Sequence, residues 1–121
     1  MIDLITFYGV RLPGGFIISA VHLTQEPLED ALGREAVAQT IVRGREFHIT
    51  IRHGLDDREL SISLYHEVLE AATVAALSPP ESVLDFNEGD FERVAHEIYA
   101  SLGNATATTL SSMLQSFGFR G

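Results

Sequence analysis

The sequence DDRELSISLYHEVLEAATVAAL, at residues 56–77, decides how the rest of the chain is arranged. Its apolar side chains recur at the three- and four-residue spacing of one helix face, and Asp56 with Glu59 resembles a capping box in which Asp replaces the usual Ser or Thr. Ser-Pro-Pro at residues 78–80 ends the pattern, because the residue before a proline disfavours helical backbone. We therefore predict a helix over residues 57–77 with a buried stripe consisting of Ile62, Tyr65, Leu69, Ala72 and Ala76. We expect the part of this stripe from Ile62 to Ala72 to pack against the sheet that contains residues 47–52.

Three side chains on this predicted helix form a pattern that suits a metal centre. His66 and Glu70 are four residues apart, so they lie one turn above each other on the same face and can both reach one ion. Glu67 lies about 100° round the helix from His66, beside that ion. A carboxylate there can act as general base toward water activated by the metal. Because the chain has no cysteine, histidine nitrogen and carboxylate oxygen must provide the ligands.

The N-terminal quarter of the chain has the composition of β-strands. Residues 5–10 and 16–23 are rich in β-forming side chains, and the turn sequence LPGG at residues 12–15 separates them. Residues 26–33 are ambiguous, and a short helix closed by Gly33 is one interpretation.

A hairpin pattern follows at residues 36–52. Residues 36–42 and 47–52 flank the polar sequence Arg-Gly-Arg-Glu at residues 43–46. The second strand alternates between apolar and polar side chains, which indicates one buried and one exposed face. The buried set is Phe47, Ile49 and Ile51, and the exposed set is His48, Thr50 and Arg52.

The second half of the chain has helical periodicity. Residues 90–102 fit a helix closed by Gly103 and Asn104, and residues 106–117 fit a shorter one. Strands followed by helices indicate an α+β fold. The chain has neither an internal repeat nor a long linker, so we expect residues 1–121 to form a single domain.

The charge of the chain excludes some partners. The net charge is −9, and all eight basic residues are arginines. Six acidic residues lie between Glu81 and Glu97 against the single base Arg93, a balance that repels a nucleic-acid backbone. The apolar run at residues 71–77 is too short to span a bilayer, and the N-terminus lacks the basic start of a secretion signal. We expect a cytoplasmic protein that binds neither nucleic acid nor membrane.

The stretch LYHEVLEAA at residues 64–72 resembles the active-site helix of small zincin-like metallopeptidases, in particular compact phage-type and bacterial proteins. The usual motif of that group is H-E-x-x-H, and this chain has H-E-x-x-E. The later stretch VAHEIYASL at residues 94–102 is similar to a helix that packs on the first one in those proteins. The resemblance implies a zincin-like domain in which N-terminal hairpins pack on the active-site helix and a second, C-terminal helix.

The resemblance also implies roles for individual residues. His66 matches the first metal ligand, Glu67 matches the catalytic base, and Glu70 stands where the second histidine usually stands. Zinc is the first expectation for the divalent metal. A carboxylate in place of the second histidine makes the site more favourable to Mn or Fe as well.

A third ligand is needed, and the sequence offers several. His96 is the first choice, because it lies on the flank of the second predicted helix, one turn from Glu92. Glu92 would not touch the metal but would form a hydrogen bond with the ligand His96. The alternatives are Glu97, Asp90 and Glu88.

Zincins commonly bind an extended substrate along a strand beside the active helix. Residues 47–52 are the candidate strand here, with His48 and Thr50 as substrate-binding residues, if this is an edge strand with free backbone groups. An ordinary sheet strand is the alternative. We expect no ligand role for His22 and His53.

These patterns support two main hypotheses about function. The first is a metal-dependent hydrolase, most naturally a peptidase acting on a peptide or protein. The second is a non-catalytic metal-binding or regulatory module on a zincin-like fold, and a helix surface without any metal is a third possibility. Retention of Glu67 beside His66 favours the hydrolase, since a purely structural site needs no base.

Overall fold

The computed structural model describes residues 2–29 and 32–119, and these residues form an α+β arrangement in which strands precede helices. This confirms the predicted class. Within the described residues the strands are β1 (Ile17–Thr24), β2 (Leu28–Glu29), β3 (Glu35–Ala36), β4 (Ala38–Arg43) and β5 (Glu46–Arg52), and the helices are α1 (Asp57–Ala75), α2 (Glu88–Leu102) and α3 (Ala107–Ser116).

The main sheet has the strand order β1-β5-β4. β4 and β5 form the predicted hairpin and pair antiparallel, and Gly44 in the turn between them has a φ of +61°. β1 runs parallel to β5 and pairs with its other edge. β5 is therefore the central strand, and β4 is an edge strand of the described sheet.

The predicted alternation along β5 is confirmed. Phe47, Ile49 and Ile51 are buried, whereas His48 and Thr50, on the other face of the sheet, are partly exposed. The buried side chains belong to one continuous core that also contains the apolar residues of α1. α1 contacts both β4 and β5, so it covers this face of the sheet.

α1 confirms the helix predicted over residues 57–77 and ends two residues earlier, at Ala75. The Asp56 side chain accepts a hydrogen bond from the backbone N–H of Glu59 at 2.8 Å, as expected for an N-cap. The helix is buried on more sides than a single stripe, since Leu64, Val68 and Ala71 are also buried.

Tyr65 corrects the expected orientation of this helix. Tyr65 was expected to face the sheet together with Ile62, Leu69 and Ala72. Its hydroxyl instead donates to the carbonyl of Gly103 at 2.8 Å and lies 3.0 Å from the Thr109 hydroxyl. This side of α1 therefore faces the junction of α2 and α3. A helix packed between a sheet and two other helices buries more than one face, so the apolar stripe alone did not define which neighbour each side chain contacts.

α2 begins two residues before the predicted start. Asn87 forms a reciprocal capping box with Asp90, so Glu88 lies in the first turn of the helix. Gly103 ends α2 with a φ of +75°, a conformation that favours glycine. α3 agrees with the helix predicted over residues 106–117 and begins with a second capping box, formed by Thr106 and Thr109.

Residues 5–10 do not form the predicted strand. A 3-10 helix occupies Leu4–Phe7, and the Asp3 side chain caps it by accepting a hydrogen bond from the Ile5 N–H at 3.2 Å. Phe7 is fully buried. Capping by Asp3 and anchoring by this one aromatic side chain therefore outweigh the β propensity of the segment.

Residues 26–33 do not form the alternative short helix where the structure describes them. Leu28–Glu29 pairs antiparallel with Glu35–Ala36, and Gly33 serves the turn with a φ of +77°. The remainder of that interpretation, residues 30 and 31, lies outside the described residues. Over residues 2–29 and 32–119, none of the helices is both long and apolar enough to cross a membrane.

Candidate metal centre

His66 and Glu70 project from the same face of α1, as their spacing predicts, and Glu88 approaches them from the first turn of α2. Nε2 of His66 lies 2.7 Å from Oε1 of Glu70 and 3.1 Å from Oε2 of Glu88. One ligand atom from each of the three residues falls within 4.8 Å of the others. The side chains are 14%, 26% and 80% exposed, respectively, so the group lies where the core meets solvent.

The chemistry and spacing of these atoms fit a divalent cation. One imidazole nitrogen and carboxylate oxygens are an accepted donor set for zinc, and such oxygens also suit manganese and iron. Ligand atoms bound to one tetrahedral zinc ion at about 2.0–2.1 Å lie about 3.3 Å from each other. The separations from His66 Nε2 to the two carboxylates, 2.7 and 3.1 Å, are hydrogen-bond distances and are shorter than this. Small side-chain movements would open the group around an ion.

Burial and hydrogen bonding have opposite effects on the pKa of His66. Burial lowers it, but the hydrogen bonds to Glu70 and Glu92 outweigh burial and raise the pKa to about 10. Burial also raises the pKa of the Glu70 carboxyl, in spite of the hydrogen bond from His66, which lowers it. In the absence of a cation, a proton on His66 therefore compensates the negative charge of the surrounding carboxylates.

Glu67 lies beside this group and extends toward the sheet. The Thr40 hydroxyl of β4 donates a hydrogen bond to Oε2 of Glu67 at 3.0 Å. Burial raises the pKa of the Glu67 carboxyl, and the charge of Glu70 raises it further. The role of general base predicted for Glu67 requires this combination of a fixed position and a raised pKa.

A cavity of about 600 Å³ gives access to these side chains. One wall consists of residues 34–40, which lead into β4, and the other carries His66, Glu67 and Glu70 of α1, with Glu88 and Glu92 at the side. The site is thus an open cleft between the edge of the sheet and two helices.

His96 was the first choice for the third ligand, but it does not belong to the group that converges on one point. Its Nε2 lies 3.1 Å from Oε1 of Glu92, and the other oxygen of Glu92, Oε2, lies 2.7 Å from Nδ1 of His66. Glu92 therefore separates His96 from His66. Glu92 and His96 are in contact, as expected, but they lie on the Nδ1 side of the His66 imidazole. The candidate ligands Glu70 and Glu88 lie on its Nε2 side.

Among the alternatives for the third ligand, only Glu88 reaches the group. Asp90 caps α2 through the backbone N–H of Asn87, and Glu97 forms an ion pair with Arg93 at 3.0 Å. The signal that favoured Glu88 was present in the sequence. An N-cap at Asn87 sets Glu88 and Glu92 one turn apart on one face of α2, the face that meets His66.

Residues 47–52 form an ordinary sheet strand and not the edge strand that substrate binding would need. Residues 47–52 belong to the central strand β5, whose two edges are paired with β1 and β4, so they cannot form an edge. His48 and Thr50 do not line the described cavity. His48 contacts the Ser19 hydroxyl of β1 at 3.1 Å, on the sheet face opposite to α1. His22 and His53 are exposed and lie outside the group that could hold a metal.

Comparisons of the chain with protein-family models, curated proteins and solved structures found no match. The zincin-like interpretation therefore depends on the motif at residues 64–72 and on the geometry of the centre that this motif forms.

Proposed function

We propose that this protein is a metal-dependent hydrolase with a zincin-like arrangement and that it acts on peptides. The convergence of His66 Nε2 with carboxylate oxygens of Glu70 and Glu88 is the observation that supports this most. Glu67 lies in the same cavity but outside that group, as a base must, because a base has to remain free to exchange protons.

His66, Glu70 and Glu88 would hold a divalent cation, which would supply Lewis acidity toward water. Glu67 would accept a proton from the attacking water. The hydrogen bond from Thr40 holds one carboxylate oxygen of Glu67, which limits its motion. The same carboxyl would then deliver this proton to the leaving amine.

The edge strand β4 supports a peptide as the substrate. Among the described residues β4 pairs with β5 on one side only, and residues 38–40 line the cavity that contains Glu67. An extended peptide that adds to this edge through backbone hydrogen bonds would pass directly in front of the metal centre. The proposed substrate strand is therefore β4, whereas the sequence indicated residues 47–52, which form β5.

A non-catalytic metal-binding module is the second candidate. It is favoured by the fact that two of the three ligands, Glu70 and Glu88, are carboxylates. Their negative charge weakens a bound cation as a Lewis acid, which reduces catalysis more than it reduces binding.

The variant Glu67→Gln separates the two candidates. Gln retains the shape of Glu67 and an oxygen that accepts the Thr40 hydrogen bond, but it cannot accept a proton from water. For a hydrolase, kcat on a mixed peptide library with zinc or manganese should fall about 10²–10⁴-fold while metal content is unchanged. The matched control is Glu59→Gln, an exposed carboxylate on the first turn of the same helix, which should retain full activity.

Two outcomes would contradict the hydrolase. Turnover that survives Glu67→Gln would mean that Glu67 is not the base. A protein that binds one ion but cleaves no peptide with either metal would instead be the non-catalytic module.

A further inference from the structure

The imidazole of His66 is held on the side that faces away from the metal-binding group. Nδ1 lies 2.7 Å from Oε2 of Glu92, and the ring of Phe91 lies nearly parallel to the imidazole, with 6.1 Å between the ring centroids. Phe91 is buried, so this contact restrains the plane of the imidazole from one face. Rotation within that plane is restrained by the hydrogen bond to Glu92.

Glu92 has a second partner that restrains it in turn. Its side chain is half exposed, and a long carboxylate side chain in that environment normally samples several rotamers. His96, one turn later on α2, lies 3.1 Å from the other oxygen of Glu92. The two oxygens of one carboxylate therefore join a histidine of α1 to a histidine of α2.

The direction of the hydrogen bond to His66 follows from the donor chemistry. An ionised carboxylate only accepts, so Nδ1 of His66 must carry the hydrogen that it donates to Glu92. With Nδ1 protonated, a neutral imidazole has its lone pair on Nε2, the atom that faces Glu70 and Glu88.

We propose that Glu92, restrained by His96, is a positioning residue that selects the Nδ1–H tautomer of His66 and aims Nε2 at the metal. This inference rests on the metal centre of the proposed function but not on catalysis. It gives His96 a different role from the ligand role that its sequence position first indicated, because His96 acts on Glu92 and does not touch the ion.

The test compares zinc binding by the full-length protein and three variants. Glu92→Ala removes the acceptor, and Glu92→Gln keeps an acceptor oxygen without the charge. Glu97→Ala is the matched control, because it removes one negative charge from the same helix at a side chain that pairs only with Arg93 among the described residues. Zinc affinity is measured by calorimetric titration. Long-range proton–nitrogen NMR identifies the protonated ring nitrogen of His66 and the exchange of its hydrogen with water.

We expect Glu92→Ala to weaken zinc binding about 10–100-fold, the usual effect of losing a hydrogen-bond partner of a ligating histidine. The Nδ1 hydrogen of His66 should then exchange faster with water. Glu92→Gln should recover most of the affinity and of the protection, and Glu97→Ala should leave both unchanged. Rescue by Gln also keeps the test valid if the Ala variant folds poorly.

Three results would overturn the inference while leaving the metal centre intact: unchanged affinity in Glu92→Ala, equal loss in Glu92→Ala and Glu92→Gln, or coordination of zinc by Nδ1 of His66. Neither readout depends on turnover. A protein that binds zinc as expected but cleaves no peptide would contradict the hydrolase alone. A peptidase whose zinc affinity does not change when Glu92 is replaced would contradict the positioning role alone. Failure of the unaltered protein to bind zinc would overturn this inference together with the metal centre.

Discussion

At the scale of single residues, the proposed site depends on His66, because a cation bound there would compete with a proton for its Nε2. The hydrogen bonds to Glu70 and Glu92 raise the pKa of His66 to about 10 although burial opposes them. At neutral pH the metal-free imidazole is therefore protonated, and it donates to carboxylates on both sides. A metal can bind only when the Nε2 proton has left.

This competition predicts the pH dependence of metal binding. Because the pKa of His66 lies above the working range, zinc must displace a proton at every pH below about 10. Zinc affinity should therefore rise with pH between 6 and 8, by about tenfold per pH unit, and about one proton should be released for each ion bound. Calorimetry in buffers with different heats of ionisation counts that proton.

The control for this prediction is His22→Ala, which removes an exposed histidine of β1 far from the cavity and should leave the pH dependence unaltered. Zinc affinity that does not change with pH in the unaltered protein would show that Nε2 of His66 is not the ligand.

At the scale of elements, α1 packs in the core and also carries three side chains of the candidate site, His66, Glu67 and Glu70. Leu69, one residue before the ligand Glu70, is fully buried, whereas Val74 on the same helix is largely exposed. The buried side of the helix holds the backbone of His66 and Glu70 in place between the sheet and α2. Stability and ligand geometry therefore have a common origin in the packing of this helix.

Two substitutions on α1 test that packing. Leu69→Ala should lower the free energy of unfolding by about 2–5 kcal/mol, because it leaves a cavity in the core. Val74→Ala removes less apolar volume from an exposed position and should change the free energy by about 0.5 kcal/mol or less. Urea denaturation measures both, and a small effect of Leu69→Ala would mean that this face of α1 is not in the core.

Elements with strong local signals could be predicted from the sequence, and their arrangement could not. The three helices and the β4–β5 hairpin have clear periodicity, caps and turn residues, so their positions were close to those observed. The identity of the edge strand depends on the parallel pairing of β1 with β5, a contact between distant segments that no local pattern encodes. The sequence therefore left open whether residues 47–52 form an edge strand or an ordinary sheet strand, and the pairing makes them the central strand.

The same distinction applies to the site. His66 and Glu70 were paired correctly because a single helix sets their separation, whereas the third member of the group depends on how α2 packs on α1. His96 was the first choice because of its position on α2, one turn from Glu92, but only the packing of α2 on α1 brings Glu88 to His66.

At the scale of the whole molecule, the net charge is −9, and part of the acidic segment from Glu81 to Glu97 contributes to the candidate metal centre. Glu88 and Glu92, which belong to this segment, face His66 across the junction of α1 and α2. Two carboxylates of the segment thus lie on either side of the His66 imidazole, and an ion held by Glu88 together with His66 and Glu70 would also link the two helices. Binding of a ligand that the unfolded chain cannot hold stabilises the folded state.

The position of a bound ion is the most direct test of this account. A crystal of the protein grown with zinc and measured at the zinc absorption edge would locate the metal by its anomalous signal. We predict one site per chain, with Nε2 of His66 and carboxylate oxygens of Glu70 and Glu88 at about 2.0–2.2 Å from the ion and with Glu67 outside the ligand set. Zinc bound through His96 or through Nδ1 of His66, or no zinc at this junction of α1 and α2, would contradict the account.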